Sequence, residues 1–175
     1  MRITCVQGDI TTETTDAIVN AANSSLLGGG GVDGAIHRAA GPGLLSACRE
    51  LRATSLPDGL PVGDAVATPG FDLPARWVIH TVGPNYGAGQ RDRSLLESCY
   101  RRSLEVADEL GATSVAFPLI SAGIYAWPRE DAIRASIDTI RSTNSAVDEV
   151  RLVAFGSDAY EAISGALSGG LQHPE

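Results

Sequence analysis

N-A-A-N-S-S-L-L-G-G-G-G-V-D-G, running from Asn20 to Gly34, decides how this chain is read. Four consecutive glycines, Gly28 to Gly31, follow a strand-like apolar run (Ala17 to Val19) and precede a helical pattern (Val32 to Ala40). A backbone without side chains can approach a ligand closely and adopt φ > 0. Set just before a helix, its N–H groups point at whatever lies there, which makes a phosphate cradle out of backbone. Two amides, Asn20 and Asn23, and one carboxylate, Asp33, surround it. The combination points to a phosphate-containing ligand with chemistry beside it.

The 175 residues suit one domain, able to bury roughly two-thirds of the surface its unfolded chain exposes. A hydrophobic content of 43% is that of a globular protein. The net charge of −8 argues against nucleic acid as partner, because that binding is driven by basic surface. An anion must therefore be held locally, by helix termini and backbone amides. All 13 basic residues are arginine and none is lysine, which removes a Walker lysine, a Schiff base and a lysine nucleophile. The cysteines Cys5, Cys48 and Cys99 are odd in number and widely spaced, so reduced thiols and a cytoplasmic location are expected. No His lies at ligand spacing from a Cys, so no metal is expected. No signal pattern and no apolar run of 18 residues is present, so neither export nor a membrane span is expected.

Outward from the glycine run, apolar stretches of strand length alternate with helical patterns. Strands are expected at Ile3–Val6, Ala17–Asn20, Ala65–Thr68, Trp77–Val82, Ser114–Leu119 and Val150–Phe155. Helices are expected over Val32–Leu56, broken at Gly41-Pro42-Gly43, over Leu95–Leu110 with Gly111 as C-cap, and over Arg129–Ile140 behind Pro128. A last helix runs from an Asp158 cap to Leu167. This rhythm predicts an α/β sandwich on a mostly parallel sheet. Residues 1–168 form the expected domain and Gly169–Glu175 a flexible tail. Ligands of such folds bind beyond the carboxyl ends of the strands. Four loops there make one crevice: Gly8-Asp9-Ile10, the Asn/Gly segment, Ser121-Ala122-Gly123-Ile124-Tyr125, and Phe155-Gly156.

Two glycine-containing loops suit two phosphates, hence a diphosphate. Each side chain around them reads in two ways. Asp33 is a helix cap or a carboxylate beside bound sugar. Asn20 and Asn23 fix the turn or bind sugar hydroxyls. Asp9 is a turn residue or accepts a hydrogen bond from an exocyclic amine. Phe155 is a core aromatic or a stacking face for a base. His37 and His80 read as packed histidines.

These residues resemble a known family. G-D-I at Gly8, V-N-A-A-N at Val19–Asn23, L-L-G-G-G-G-V-D-G at Leu26–Gly34, I-H-R-A-A-G at Ile36–Gly41, V-I-H-T-V-G-P at Val78–Pro84 and S-A-G-I-Y at Ser121–Tyr125 closely resemble a macrodomain, and within it the MacroD-type ADP-ribosyl hydrolases. The resemblance spans Ile3 to Leu167 and implies a three-layer α/β/α sandwich with a mixed, mostly parallel central sheet. It implies binding of the adenine amine by Asp9 with Ile10 nearby. It implies phosphate binding by Gly30, Gly31 and Val32, and closure over the diphosphate by Ser121, Ala122, Gly123, Ile124 and Tyr125. Asn23 and Asp33 match the positions tied to the distal ribose and catalysis, Asn20 the motif's first asparagine, and Phe155 an aromatic beside adenine. Ala122 stands where Thr is common, and Ala126-Trp127 where Gly-Phe is common. The absence of lysine, of a Glu-Glu pair after the glycines and of a Cys/His metal set sets the chain apart from the lysine-based, glycohydrolase and zinc-dependent branches.

The implied activity is hydrolysis of mono-ADP-ribose from Asp or Glu side chains of modified proteins, with O-acetyl-ADP-ribose as a further substrate. The chain is expected to act as a monomer, without cofactor. The residues support this independently. Glycoside-type cleavage uses two carboxyls, one as acid for a poor leaving group. The glycine loop supplies only Asp33, and a carboxylate leaving group needs little protonation. The rival is a non-catalytic reader of ADP-ribose on the same fold. A generic nucleotide-sugar enzyme on a Rossmann-like sheet is the third reading; it lacks G-x-G-x-x-G after the first strand.

Overall fold

The alternation of apolar residues along Ala17–Ala22 sets the plan of the molecule. Ala17 and Val19 face one side of a sheet, and Ile18 and Asn20 the other, as strand period demands. The structure, a computed structural model, describes residues 1–172. Its strands are β1 (Arg2–Gln7), β2 (Ala17–Ala22), β3 (Ala65–Pro69), β4 (Trp77–Val82), β5 (Ser114–Phe117) and β6 (Glu149–Ala154). Its helices are α1 (Gly31–Ala40), α2 (Pro42–Ala53), α3 (Arg93–Leu110), α4 (Arg129–Ser142) and α5 (Ser157–Gln172), with short 3-10 turns at Ile10–Thr12 and Tyr86–Ala88.

The strands form one six-stranded sheet in the order β1-β6-β5-β2-β4-β3. All neighbours are parallel except β3 and β4, so the sheet is mixed and mostly parallel. Helices α3, α4 and α5 cover one face, where Leu96, Tyr100, Leu104, Ile133 and Ile140 pack on Val19, Val115, Phe117 and Leu152. Helices α1 and α2 cover the other, through Ile36 and Leu44 on Ile18 and Val78, and Cys48 beside Ala22 and Val82. The result is the three-layer α/β/α sandwich.

Local rules account for most boundaries. Gly41, at φ +84, ends α1, and Pro42 opens α2 at N1, so the expected break is present. The second helix stops at Ala53, earlier than the expected Leu56. Asp92 caps α3 by accepting from Ser94 N at 3.0 Å, three residues before the apolar periodicity begins. Gly111, in the left-handed conformation, ends it. Pro118 follows β5, which ends at Phe117 rather than Leu119. The last helix starts at Ser157, so Asp158 lies in its first turn instead of capping it, and it continues to Gln172, past Leu167. Residues 169–172 of the expected tail are thus helical, and His173–Glu175 lie outside the described residues. Among the described residues no helix is long and apolar enough to cross a membrane.

Candidate active site

The five mutually parallel strands bring their carboxyl ends to one crest. There the loops after β1, β6, β5, β2 and β4 meet. The crest contains every loop singled out in the sequence, plus Gly83-Pro84 after β4.

The glycine loop is a short rigid arch. Its first half is tied down by Leu60 N on Ser24 O (2.9 Å) and by Arg52 Nη1 on Ser25 O (3.0 Å). Asn23 closes it, donating from Nδ2 to Gly28 O (3.0 Å) and accepting at Oδ1 from Ser25 N (3.1 Å) and Ser25 Oγ (2.5 Å). Gly30 is the N-cap of α1 and has no side chain to satisfy the orphan N–H groups of the first turn. Those donors and the helix dipole are free for an anion. Glycine is required at position 34 too: a Cβ there would sit 2.5 Å from Gly29 O, so its absence lets α1 press against the arch.

Asp33 is not the cap; it is the third residue of α1 and only 4% exposed. Its Oδ1 accepts from Asn20 Nδ2 at 2.8 Å. His37, one turn on, brings Nε2 to 3.5 Å of the same oxygen without forming a hydrogen bond. Asp33 Oδ2 points toward Gly29, 3.2 Å from where a Cβ there would lie, as does Asn23 Nδ2. Asn23 and Asp33 therefore converge on the same glycine at the mouth of the arch. Asn20 is fully buried, so its place is beneath the site, holding Asp33, rather than at the ligand surface.

The second loop faces the first. The Cδ1 of Ile124 lies 3.6 Å from the Cβ position of Gly30 and 3.8 Å from that of Gly31, although the side chain is 78% exposed. It brings the second loop against the glycine arch. Ser121 sits at φ +67 with its Oγ buried and, among the described residues, unpartnered. The loop is anchored by Trp127 N on Ser121 O (2.9 Å), Gly87 N on Tyr125 O (3.0 Å) and Ile120 N on Tyr100 Oη (3.0 Å). Trp127 packs edge-on against Tyr86 and donates from Nε1 to Asp131 Oδ2 (2.9 Å). That bond, then Arg93, holds Asp131 below the usual carboxylate range. Ala126 adopts φ +64 where the resemblance expects glycine, and the Trp127 anchor accompanies this strained residue. Ala122 and Gly123 complete the loop without further side-chain hydrogen bonds.

At the β1–β6 end of the crest Asp9 uses Oδ1 to accept from Thr11 N (2.9 Å) and Thr11 Oγ1 (2.7 Å), which makes it the cap of the 3-10 turn. Ile10 is buried beside it. Phe155 is 91% exposed just beyond β6, so the core reading is excluded and a bare aromatic face stands at this end.

The sequence analysis gave Gly83 no role and read His80 only as a packed histidine, which its full burial bears out. Gly83, after β4, admits the second loop: a Cβ would meet Ser121 Oγ at 2.2 Å and Ile120 Cγ2 at 2.7 Å. Its signals are a glycine directly after a strand and its place in the V-I-H-T-V-G-P string. His80 connects to Asn20, a contact set by pairing of strands 60 positions apart. Arg38 is exposed, with Nη1 over Gly34, and lines a cleft of about 470 Å³ with Leu27, His37 and Leu45 beside the arch. The thiols of Cys48 and Cys99 are pushed up to about 11, chiefly by burial, and both are free. Among the described residues, no group of three His, Cys, Asp or Glu side chains could hold a metal ion.

Fold and crest together define the class: a three-layer α/β/α domain with a glycine-lined site at its strand ends. The chain belongs to the Macro domain family, whose pattern matches residues 19–136. A macro domain-containing protein of Streptomyces coelicolor is 61% identical over 165 residues, covering 94% of this chain and 98% of that protein. An O-acetyl-ADP-ribose deacetylase of Pantoea vagans is 48% identical over 164 residues, covering 91% and 95%. The Oceanobacillus iheyensis macrodomain, solved as a mutant with ADPR, superposes with a TM-score of 0.90 at 43% identity, covering 97% of this chain and 93% of that one.

Proposed function

We propose that this macrodomain binds ADP-ribose and, as a metal-independent MacroD-type hydrolase, removes mono-ADP-ribose from Asp and Glu side chains of modified proteins. The observation that carries the reading is Asp33. It is a buried carboxylate with one oxygen anchored by Asn20 and the other directed to the mouth where Asn23 converges. Burying a carboxylate costs stability, and a role at the site accounts for a chain that keeps one there. The ADPR-bound structure of the relative supports ADP-ribose as ligand. The exposed Phe155 and Asp9 suit adenine, and the α1 terminus and Ser121–Tyr125 loop suit the diphosphate.

The distal ribose then lies at Asn23 and Asp33. Water adds to the anomeric carbon, the bond from that carbon to the acyl oxygen breaks, and the Asp or Glu of the modified protein leaves as a carboxylate. Asp33 orients the water, takes up its proton and stabilises cationic character on the sugar. Asn23 fixes the ribose hydroxyls. The same geometry suits an acyl ester on that ribose, the substrate in the name of the Pantoea relative. We assign the chain to the cytoplasm as a monomer, a placement that three free thiols fit.

One observation favours a second reading, a non-catalytic reader. The Asn23 amide is engaged at both ends by its own loop, so its presence is explained without turnover. Incubation with a protein mono-ADP-ribosylated on glutamate separates the two. Release of free ADP-ribose at catalytic enzyme supports the hydrolase; calorimetric binding of ADP-ribose without release leaves the reader.

A further inference from the structure

A line of buried polar groups runs inward from Asp33 across the sheet. Asn20 and His80 are register partners on β2 and β4, and Thr68 lies on β3, on the same face. Asn20 and His80 are 0% exposed and Thr68 4%. Asn20 Nδ2 reaches Asp33 Oδ1 at 2.8 Å and His80 Nδ1 at 3.2 Å, and His80 Nε2 reaches Thr68 Oγ1 at 3.0 Å.

These contacts dictate proton positions. An ionised carboxylate only accepts, so the nitrogen of the Asn20 amide must face Asp33. The second proton on that nitrogen meets His80 Nδ1, which therefore accepts and carries none. The imidazole proton sits on Nε2 and is donated to Thr68 Oγ1. Burial first, and the neighbouring His37 second, push His80 down to about 3, so the ring stays neutral. Among the described residues the Asn20 oxygen has no partner. The two bonds from its nitrogen alone set which way the amide faces. Cys48 Sγ, 4.0 Å from Nε2, is too weak an acceptor to replace Thr68.

We infer that His80, with Thr68 behind it, is a positioning residue that acts through Asn20 to hold the orientation of the Asp33 carboxylate toward the distal ribose. The inference rests on the hydrolase reading. Nothing in the packing alone requires this order, since an apolar side chain would fill the same strand positions. Without an acceptor at position 68 the imidazole tautomers lose their bias. The Nδ1–H form then turns the amide round and sets its oxygen against Asp33.

The test compares wild type, Thr68→Val and Thr68→Ser, with nitrogen NMR of the imidazole, calorimetry with ADP-ribose and steady-state release from a glutamate-linked substrate. Wild type should show one tautomer, protonated at Nε2. Thr68→Val should lower kcat about tenfold, the scale of one orienting hydrogen bond, with KM and ADP-ribose affinity within about twofold. Thr68→Ser should recover most of kcat. A wild-type ring protonated at Nδ1 overturns the inference, and decides the matter even if Thr68→Val does not fold. So does wild-type kcat in folded Thr68→Val, or an equal loss in Thr68→Ser. Absence of release by wild type overturns the hydrolase reading itself, and the inference with it.

Discussion

The amide nitrogen of Asn20 lies 2.8 Å from Oδ1 of Asp33, joining a strand residue to a helix residue in the interior directly below the glycine arch. One carboxylate oxygen is anchored and the other faces the mouth, the arrangement expected of a group whose contacts strengthen as charge develops on a substrate. Asp33→Ala should therefore lower kcat by about two orders of magnitude, the usual scale for a general base or a preorganised charge, while ADP-ribose affinity falls less than about tenfold. Asn23→Ala should lose turnover more than affinity in the same way. Parallel calorimetry and release kinetics check both. Equal losses in binding and rate would mark the pair as loop scaffolding.

Asp9 commits one carboxylate oxygen to a turn, and in the proposed function the other meets the adenine amine. Its Oδ1 caps the 3-10 turn through Thr11. Asp9→Asn keeps that acceptor and can place a donor where an adenine amine must also donate. Affinity for ADP-ribose should fall by about 1–3 kcal/mol, the cost of an unpaired buried partner, with the melting temperature unchanged. Wild-type affinity in Asp9→Asn would remove Asp9 from the adenine end.

Gly83 makes room for Ser121 and Ile120, which would stand 2.2 and 2.7 Å from a Cβ on it. Gly83→Ala should destabilise the fold by about 1–3 kcal/mol, as overpacking does, at roughly 2–4 °C of Tm per kcal/mol. ADP-ribose should also bind more weakly, because Ser121 opens the loop proposed to close over the diphosphate. An unchanged Tm on thermal denaturation would contradict this packing.

His80 gives a signed pH dependence. Burial lowers its pKa in the folded state from 6.5 to about 3. Above pH 6.5 both states are neutral and the group contributes nothing to the slope. Below it the unfolded chain takes up a proton that the folded chain refuses, so stability falls with pH between about 6.5 and 3. At pH 5 the loss from this one group is about 2 kcal/mol relative to pH 7.5. His80→Gln should flatten the stability–pH profile over that window in denaturant titrations. A profile parallel to wild type would mean that His80 protonates in the folded protein.

Strand content and the two loops were legible because apolar runs such as Val150–Ala154 and punctuation such as Gly41-Pro42 act locally. Gly30, Gly31 and Ile124 meet as expected of two loops at strand ends. What local pattern cannot give is lateral strand pairing. Asn20 meets His80 only because β2 pairs with β4, and Gly83 meets Ser121 only because their strands end at one crest. Phe155 and Asp33 show the same limit: exposure of the first and burial of the second follow from where β6 stops and how α1 leans on β2.

The account turns on a single carboxylate with no partner acid. Asp33 lies in the first turn of α1, and its neighbours Asn20, Asn23 and His37 include no second carboxyl, so the site suits water activation with a carboxylate leaving group and not protonation of an alkoxide. The direct measurement is release of ADP-ribose from three substrates under one condition, linked through glutamate, serine and arginine. The account predicts release from the glutamate ester, with little from the serine- or arginine-linked substrate. Comparable rates on the serine-linked peptide would contradict it and would require a proton donor at the mouth that Asp33 does not supply.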